Sequence, residues 1–558
     1  MAAADKWTVA RTLDEIGRYI ELSDPNPFRA RAFERAARAV ENLEADIGEV
    51  VSSGALLKTP GIGKAIGPII SEVVQSGRSE YLEELRTQYP PGIFDLLRIQ
   101  GLGLKKIGLL HETLGIGSLD ELEAAAREDR LAKLKGFGAK TQAKILDGID
   151  KARRRESNFL LPIGIQVGEL MRERLAQVDE VTDVEVTGSV RRRLEIIRNV
   201  NIAVATKDFP AVKESIGGFV DRLEEIDEDT CKGVARNEIE VWFHLTLPKN
   251  FGATVMRTTG STEFVAGFEQ KAKKVLSAAN EEALFEKSGV PFIEPERRED
   301  ASDLARKKQP ALVHASDIRG TFHVHSTFSD GRNTILEMLT ASRERGFEYV
   351  GLSDHSKAAY YAGGLTEERL REQHAEIDRH VEAMAPMRIF RGTEADILSD
   401  GSIDYGPKTL DMFDFVVASI HSQFNMSSEV MTERILTALD DPHVTFLGHL
   451  TGRKLLGRDG YTMDFEAVFE RAARRGVMIE INGNPNRLDL DWRRIGSALE
   501  HGVVFSIHPD AHSTAELGHT ISGSWVARKA GLTAKQIFNT RSAEEVAKFL
   551  EARRRRRK

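Results

Sequence analysis

The chain has 558 residues, too many for one hydrophobic core, so several domains are expected. Hydrophobic residues make up 41% and charged residues 29%, an ordinary globular balance, and the formal net charge of −8 excludes nucleic-acid binding by overall basicity; any DNA contact must come from local patches. The single cysteine, Cys231, excludes an internal disulfide, and no apolar run is long enough for a membrane span or a signal peptide, so a cytoplasmic, membrane-free monomer is expected.

Residues 1 to about 155 read as short helices divided by Gly-rich turns. One pattern recurs at Thr59-Pro-Gly-Ile-Gly63, Ile99-Gln-Gly-Leu-Gly103 and Leu134-Lys-Gly-Phe-Gly138. Gly61, Gly63, Gly101, Gly103, Gly136 and Gly138 would let backbone N–H groups approach a phosphate, with the next helix presenting its N-terminus. Such contacts grip the DNA backbone without reading bases. Lys133, Lys135, Lys140, Lys144, Lys151 and Arg153 to Arg155 lie in or near the third turn and add positive charge. The region divides into helical domains at 1–90 and 91–155.

Residues 156–300 mix strands and helices, as in Val184-Glu-Val-Thr, Val200-Asn-Ile-Ala-Val-Ala and Ile239-Glu-Val-Trp-Phe. Residues 301–318 are charged and proline-broken and read as a linker. From 319 to 558, seven apolar strand-like runs alternate with amphipathic helices, the pattern of an α/β barrel. The basic tail Arg553 to Lys558 reads as a solvated end with the charge to touch nucleic acid.

Six of the seven runs finish on a His or on Glu394, where the apolar stretch stops; the sixth run instead carries Glu480 and Asn482. In a barrel those strand ends converge on one face. His323, His325, His355, Glu394, His421, His449, Asp510 and His512 should therefore meet, and Asp330 can reach the same mouth. Imidazole with carboxylate suits Mn²⁺, Zn²⁺ or Fe²⁺, and nine ligands are enough for two or three divalent ions. Such a cluster activates water and clamps the attacking and leaving oxygens of a phosphate ester.

His323-Val-His325, Ser329-Asp-Gly331, Asp354-His355, Glu394 with Ala395-Asp396, Ser419-Ile-His421, Gly448-His449 and Pro509-Asp-Ala-His512 resemble the polymerase and histidinol phosphatase (PHP) domain. The resemblance implies a distorted (β/α)7 barrel with a trinuclear centre. One ion would take His323, His325, Glu394 and Asp510; a second Glu394, His421 and His449; the third Asp330, His355 and His512. Lys357 and Arg453 are the implied phosphate contacts, each equally readable as an ion-pair partner.

Gly188-Ser189-Val-Arg-Arg192, Phe251-Gly252 and Thr259-Gly-Ser261 resemble the palm and thumb of a family X DNA polymerase, and the Gly-x-Gly turns resemble helix–hairpin–helix motifs. The implied architecture is multidomain α and α/β: helix–hairpin–helix domains, a nucleotidyltransferase-like palm (156–248), a thumb (249–300), the linker and the PHP barrel. Ser189 and Arg192 would face a triphosphate. Where the family places an Asp-x-Asp pair, this chain has Asn199 and Asn201, and Glu240 is the candidate for the third carboxylate. Neutral amides cannot hold two Mg²⁺ ions. Val265 and Glu269 replace nucleotide-binding residues, and Ile69 stands at the lyase lysine position. The expectation is a DNA-repair enzyme whose barrel hydrolyses DNA phosphoesters, as a 3′→5′ exonuclease, in 3′-end processing or at abasic sites, on duplex, gapped or 3′-ended DNA. The alternatives are an active gap-filling polymerase and a phosphatase of small phosphate esters on a DNA-binding scaffold.

Overall fold

The computed structural model describes residues 6–23, 27–41, 43, 47–99, 101–134, 136–156, 158–235, 238–272 and 277–557. They fall into two compact units, Met1–Ser157 and Asn158–Lys558. None of the described helices is long and apolar enough to cross a membrane.

The first unit is helical and has one core. Tyr19, in the helix Lys6–Ser23, meets Phe94 edge-on at 4.7 Å and Tyr89 at 5.7 Å. Gly108, in the helix Leu104–Leu114, lies so close to Leu22 that a Cβ there would stand 2.2 Å from its carbonyl oxygen. The two stretches on either side of residue 90 therefore pack against each other.

The second unit begins with β1 (Phe159–Leu160), β2 (Val181–Thr187), β3 (Ile196–Ile197), β4 (Asn199–Thr206), β5 (Asp221–Glu225), β6 (Thr230–Val234) and β7 (Glu240–Thr246). The larger sheet has the order β2-β4-β7-β6-β5, with only the β4–β7 pair parallel. Three helices follow, Phe251–Thr259, Thr262–Ala272 and Glu281–Lys287. Their core encloses Arg298, whose guanidinium lies 5.0 Å from the Phe285 ring and 5.3 Å from that of Phe292, with Glu281 as its ion-pair partner.

The barrel is β8 (Gly320–Val324), β9 (Tyr349–Leu352), β10 (Arg388–Asp396), β11 (Phe415–Ser419), β12 (Phe446–Leu447), β13 (Met478–Asn482) and β14 (Phe505–His508). All pairs are parallel and the order follows the sequence. Helices cover the outside and side chains fill the inside, so the strands read as near-continuous apolar runs. The ends nearly close. Val324 bridges to Ala511, and the Asn539 amide donates to the carbonyls of Gly320 at 2.9 Å and Ile507 at 2.7 Å, spanning the seam. Phe322, Phe415 and Phe446 plug the interior below the mouth, with ring centroids 4.8 to 5.9 Å apart. Gly351 and Gly392 make room for that plug: a Cβ on either would come within 2.6 Å of the Phe415 ring.

Two segments that read as solvated are packed. The stretch read as a linker carries Asp303, fully buried and bonded by Arg297 at 2.6 Å, and Val313, whose N–H donates to Leu532. Glu296, just before it, holds Arg528 at 2.7 Å. The Glu296 partner lies 232 residues away, which local charge patterning cannot reveal, whereas Asp303 pairs with its near neighbours Arg297 and Arg306. The basic tail continues the helix Ala543–Arg555 across the barrel's N-terminal face. There Arg553 donates to the carbonyl of Gly476 at 2.8 Å, Arg557 to that of Phe413 at 3.1 Å, and Arg554 to Asp414 at 3.1 Å. Arg553 and Arg557 thus take carbonyls just before β13 and β11, and Arg554 an acid beside them; Lys558 lies outside the described residues.

Candidate metal centre

The strand-end residues converge as barrel geometry requires. Glu394, 1% exposed, is the hub. Its Oε1 lies 3.0 Å from His449 Nε2 and 3.2 Å from the Nε2 atoms of His323 and His421. Its Oε2 lies 2.9 Å from His355 Nδ1 and 3.6 Å from His325 Nε2. Asp510 Oδ1 stands 3.4 Å from His323 Nε2 and 3.5 Å from His325 Nε2. Asp330 Oδ1 stands 3.3 Å from His512 Nε2 and 3.6 Å from His355 Nε2. Among the described residues five overlapping groups have their donor atoms close enough to share an ion: His323, His325 and Asp510; His323, Glu394 and His449; His355, Glu394 and His421; Asp330 with His325, His355 and His512; and His323, Glu480 and His508.

Two ligands each about 2.1 Å from one tetrahedral ion are about 3.4 Å apart. The observed spacings centre on that value. The hydrogen-bond inventory also fits cations. His323 Nε2, both ring nitrogens of His325, His355 Nδ1, His449 Nδ1 and Glu394 Oε2 are buried without a hydrogen-bond partner. Each such orphan costs roughly 1–3 kcal/mol, so a cluster of them needs positive ions to complete it. Local strain points the same way. His323 and Asp510 hold φ of 61° and 52°, left-handed conformations that cost a non-glycine residue about 1–3 kcal/mol.

The electrostatics follow from crowding. Burial opposes charge on His355, but Glu394 and Asp330 outweigh it and push the ring up to about 10. His512 is likewise driven to about 9 despite burial, by Asp330 and Asp510. His325 goes the other way, to about 3, through burial and the neighbouring His512 and His355 rings. Burial works against Glu394 and Asp510 as anions, yet the surrounding imidazoles hold both well below the usual carboxylate range.

A supporting shell, unassigned in the sequence reading, fixes the ligands. Glu480 accepts from His323 Nδ1 at 2.5 Å and His508 Nδ1 at 2.9 Å, and from the His449 N–H at 2.9 Å. Asp396 accepts from His421 Nδ1 at 2.7 Å. Such bonds leave Nε2 of His323 and His421 as the inward atom. His508 is a brace, because both its nitrogens are engaged, by Glu480 and Ser506. Asp354 accepts from the Ser326 N–H at 2.7 Å and Ser329 Oγ at 2.5 Å, anchoring the turn that carries Asp330. Only the carboxylate's position one strand over from a ligand could have signalled Glu480.

Neither phosphate contact of the sequence reading faces the mouth unencumbered. Arg453 donates to the carbonyls of Arg487 and Leu488 and to Asp491, and so braces a loop. Lys357 is half-exposed and paired with Glu367 at 3.0 Å. The cation beside the centre is Arg487, with Nε 3.4 Å from Asp510 Oδ2.

The palm-like cleft is arranged differently. Asn201 donates to Asn199 Oδ1 at 2.9 Å, and its own Oδ1 accepts from His244 Nε2 at 2.9 Å. Glu240 stands opposite Asn199 in register but leans to Lys232, 3.6 Å away. Arg192 is taken by Glu299 at 2.9 Å and the Thr259 carbonyl at 2.6 Å, which corrects its placement toward a triphosphate; Ser189 is half-buried beside it. Glu269 pairs with Arg257 at 2.8 Å.

The three Gly-x-Gly turns share one geometry. The N–H of Ile62, Leu102 and Phe137 closes onto Thr59, Ile99 and Leu134 at 3.1, 3.0 and 3.1 Å. Gly61, Gly101 and Gly136 hold φ of 98°, 90° and 93°, where a side chain is strained. Gly63, Gly103 and Gly138 open onto empty space, where a Cβ would meet nothing within 4 Å. Lys140 is exposed at the start of the third helix, while Arg153 pairs with Asp120 and Glu123. Lys135 and the side chains of Lys151, Arg154 and Arg155 lie outside the described residues.

Known families match three stretches of the chain: a helix-hairpin-helix domain over residues 5–79, a SAM-like helix-hairpin-helix tandem over 93–151 and a PHP domain over 321–483. The chain is 33% identical over 569 aligned residues to the DNA polymerase/3′-5′ exonuclease PolX of Bacillus subtilis, covering 98% of this chain and 99% of that protein. It is 29% identical over 250 residues to a "Probable phosphatase" of Photobacterium profundum, covering 41% of this chain and 93% of that one. A second "Probable phosphatase", of Caldanaerobacter subterraneus, is 28% identical over 255 residues, 42% of this chain and 91% of its own.

Proposed function

The chain belongs to the PolX family of DNA polymerase/3′-5′ exonucleases, and from that premise we propose that its main active centre is the barrel, which hydrolyses DNA phosphoesters at 3′ ends, while DNA synthesis at the palm-like cleft is weak or absent. The observation that carries this reading is a contrast in composition: five imidazoles crowd one buried carboxylate at Glu394, several of their nitrogens without a well-formed hydrogen bond, whereas Asn199 and Asn201 bond each other.

Two or three divalent ions, Mn²⁺, Zn²⁺ or Fe²⁺, fit the donor set. His323, His325, Glu394 and Asp510 would hold one; Glu394, His421 and His449 another; Asp330, His355 and His512 the third. When bound, such ions supply Lewis-acid activation of water and neutralise charge on phosphorus-bound oxygens. The protein's share is orientation. Glu480 and Asp396 fix His323 and His421, and Arg487 is placed to bind the substrate phosphate. The open backbone of the three hairpin turns suits a grip on DNA phosphates without regard to base sequence. Exonuclease trimming, 3′-end cleaning and incision at abasic sites all use this chemistry, and the role is DNA repair by a cytoplasmic monomer.

The test is hydrolysis of a 3′-labelled oligonucleotide by the wild type and by His323→Ala with His325→Ala. Nuclease activity untouched by the double substitution would sink the reading. The two "Probable phosphatase" relatives favour one rival, a barrel acting on small phosphate esters. Turnover of a small phosphomonoester far above that of the oligonucleotide would select it. Gap-filling synthesis remains the other, and primer extension with Mn²⁺ decides it.

A further inference from the structure

Three large aromatic side chains stand out as exposed among the described residues: Phe28, at 70%, Tyr360, at 85%, and Tyr361, at 63%. The two tyrosines are adjacent, edge to face at 6.0 Å, on the short helix Tyr360–Ala362 of the loop that follows β9 and His355. Exposed tyrosine is unremarkable by itself. The loop's fixed shape and its position call for an explanation.

The loop is ordered by its own bonds. The N–H groups of Ala362 and Gly364 both donate to the Ala359 carbonyl, at 2.9 and 3.0 Å. Ala358 N–H donates to Asp404 at 2.7 Å, and Arg369 donates to the Gly363 carbonyl at 2.8 Å. The loop is also stitched to the metal ligands. Leu365 N–H donates to the His355 carbonyl at 2.9 Å, and Gly363 is packed so that a Cβ would meet the Ser329 carbonyl, next to Asp330, at 3.5 Å. These contacts hold the loop between His355 and the turn that carries Asp330, so Tyr361, two residues before Gly363, stands on the segment that borders the centre. Arg487 stands 3.4 Å from Asp510, and exposed Lys454 adjoins Leu455, whose N–H donates to the Asn486 carbonyl at 2.7 Å, beside Arg487.

We infer that Tyr361, braced by Tyr360, is a stacking ledge for the base of an unpaired 3′-terminal nucleotide, with Arg487 and Lys454 positioned for its phosphates. This deepens the reading of the barrel as a DNA nuclease and rests on it. The ledge sits among carboxylates, which disfavours a second anion there and leaves the ring face as the useful surface. Every base has a π-face, so stacking accepts any sequence. A paired base inside a duplex has both faces covered, so the ledge selects an end that is single-stranded or frayed. Because the loop is already ordered, little further conformational freedom is lost on binding.

The test uses the full-length, metal-loaded enzyme and three substrates: an oligonucleotide with a single-stranded 3′ end, a blunt duplex and p-nitrophenyl phosphate. Tyr361→Ala raises KM about tenfold on the single-stranded end, the loss of one stacked base, and removes most of the preference over blunt duplex. Hydrolysis of p-nitrophenyl phosphate stays within about twofold, since that ester needs no ledge. Tyr361→Phe behaves as wild type, and Tyr360→Ala shows a smaller rise. Binding is read separately, in EDTA, from a 2-aminopurine placed at the 3′ terminus, whose fluorescence is quenched by wild type and Tyr361→Phe but not by Tyr361→Ala. The ledge is overturned if Tyr361→Phe loses activity like Tyr361→Ala, which would make the phenol oxygen the working group. It is equally overturned if quenching survives Tyr361→Ala, or if all three substrates slow together. Wild-type enzyme that cleaves p-nitrophenyl phosphate but no oligonucleotide overturns the nuclease reading itself, whatever the variants do.

Discussion

At the barrel mouth, Glu394 is ringed by imidazoles, several of whose buried nitrogens are left over; at the start of β4, Asn201 donates to Asn199 and accepts from His244, and little is left over. Both places sit at strand ends, where parallel neighbours bring polar side chains together. The difference is completeness. A buried polar cluster that satisfies itself is a structural element, whereas one with surplus acceptors and nitrogens is stable only with something added. Charge follows the same division. Glu394, Asp510 and Asp330 are held as anions, while the amides of the palm-like cleft are neutral at every pH.

The largest effect expected from this contrast is on the barrel. His323→Ala with His325→Ala removes two nitrogens from the mouth and should cost on the order of 10³-fold in hydrolysis, since metal assistance is worth several kcal/mol. Metal content of the purified chain, two to three ions in the wild type, should fall with it. Full activity in the double variant would erase the distinction between the two sites. Next comes Glu480→Gln. It keeps the shape but weakens the bonds that orient His323 and His508, so metal affinity or rate should drop about 10–100-fold. Titration of the metal-free protein with Mn²⁺ measures it, and unchanged affinity would remove Glu480 from the assembly.

The barrel was readable in the sequence because its signal is local and repeated: seven apolar runs, six of them finishing on a His or on Glu394. The bonds that aim those ligands are not local. Glu480 sits 157 residues from His323 in the chain, and its role emerges only once β13 lies across the barrel interior. Arg453 and Arg487 illustrate the same limit. Both precede loop segments near the mouth, and only folding decides which guanidinium braces a loop and which stands beside Asp510. Charge runs misled for a related reason. Residues 301–318 and the arginine tail look solvated until their distant partners are known, as with Val313 and Leu532 or Arg553 and Gly476.

The palm-like cleft offers a sharper test of the comparison. Asn199→Asp with Asn201→Asp restores the family's carboxylates but removes the amide donor and sets two anions side by side. Stability should fall by about 1–3 kcal/mol in urea unfolding, as for a broken buried hydrogen bond. Primer extension with Mn²⁺ should stay at the parental level, because Arg192 remains bound to Glu299 and the Thr259 carbonyl. DNA synthesis by that variant would show that two charges alone separate the sites.

The smallest effect concerns how Arg192 came to be occupied. Lys529, 1% exposed, donates to the Arg192 carbonyl at 3.0 Å and pairs with Glu299, locking the cleft's arginine to the barrel helix His519–Lys529. Burial lowers Lys529 from 10.5 to about 8, though Glu299 opposes the shift. In the unfolded chain the lysine keeps its ordinary value, so between pH 8 and 10.5 the unfolded state binds more protons. Stability contributed by Lys529 must therefore rise with pH across that window and be lowest below it. Lys529→Met removes the buried charge while Arg192 still pairs Glu299, so at pH 7 it should change stability by less than about 1 kcal/mol and leave hydrolysis intact. The gap between wild-type and Lys529→Met melting temperatures should then shift in favour of wild type from pH 7 to pH 9.5. A gap that moves the other way would mean that the charged lysine is what joins the cleft to the barrel, and that Arg192 is held there by a salt bridge that neutral Lys529 cannot replace.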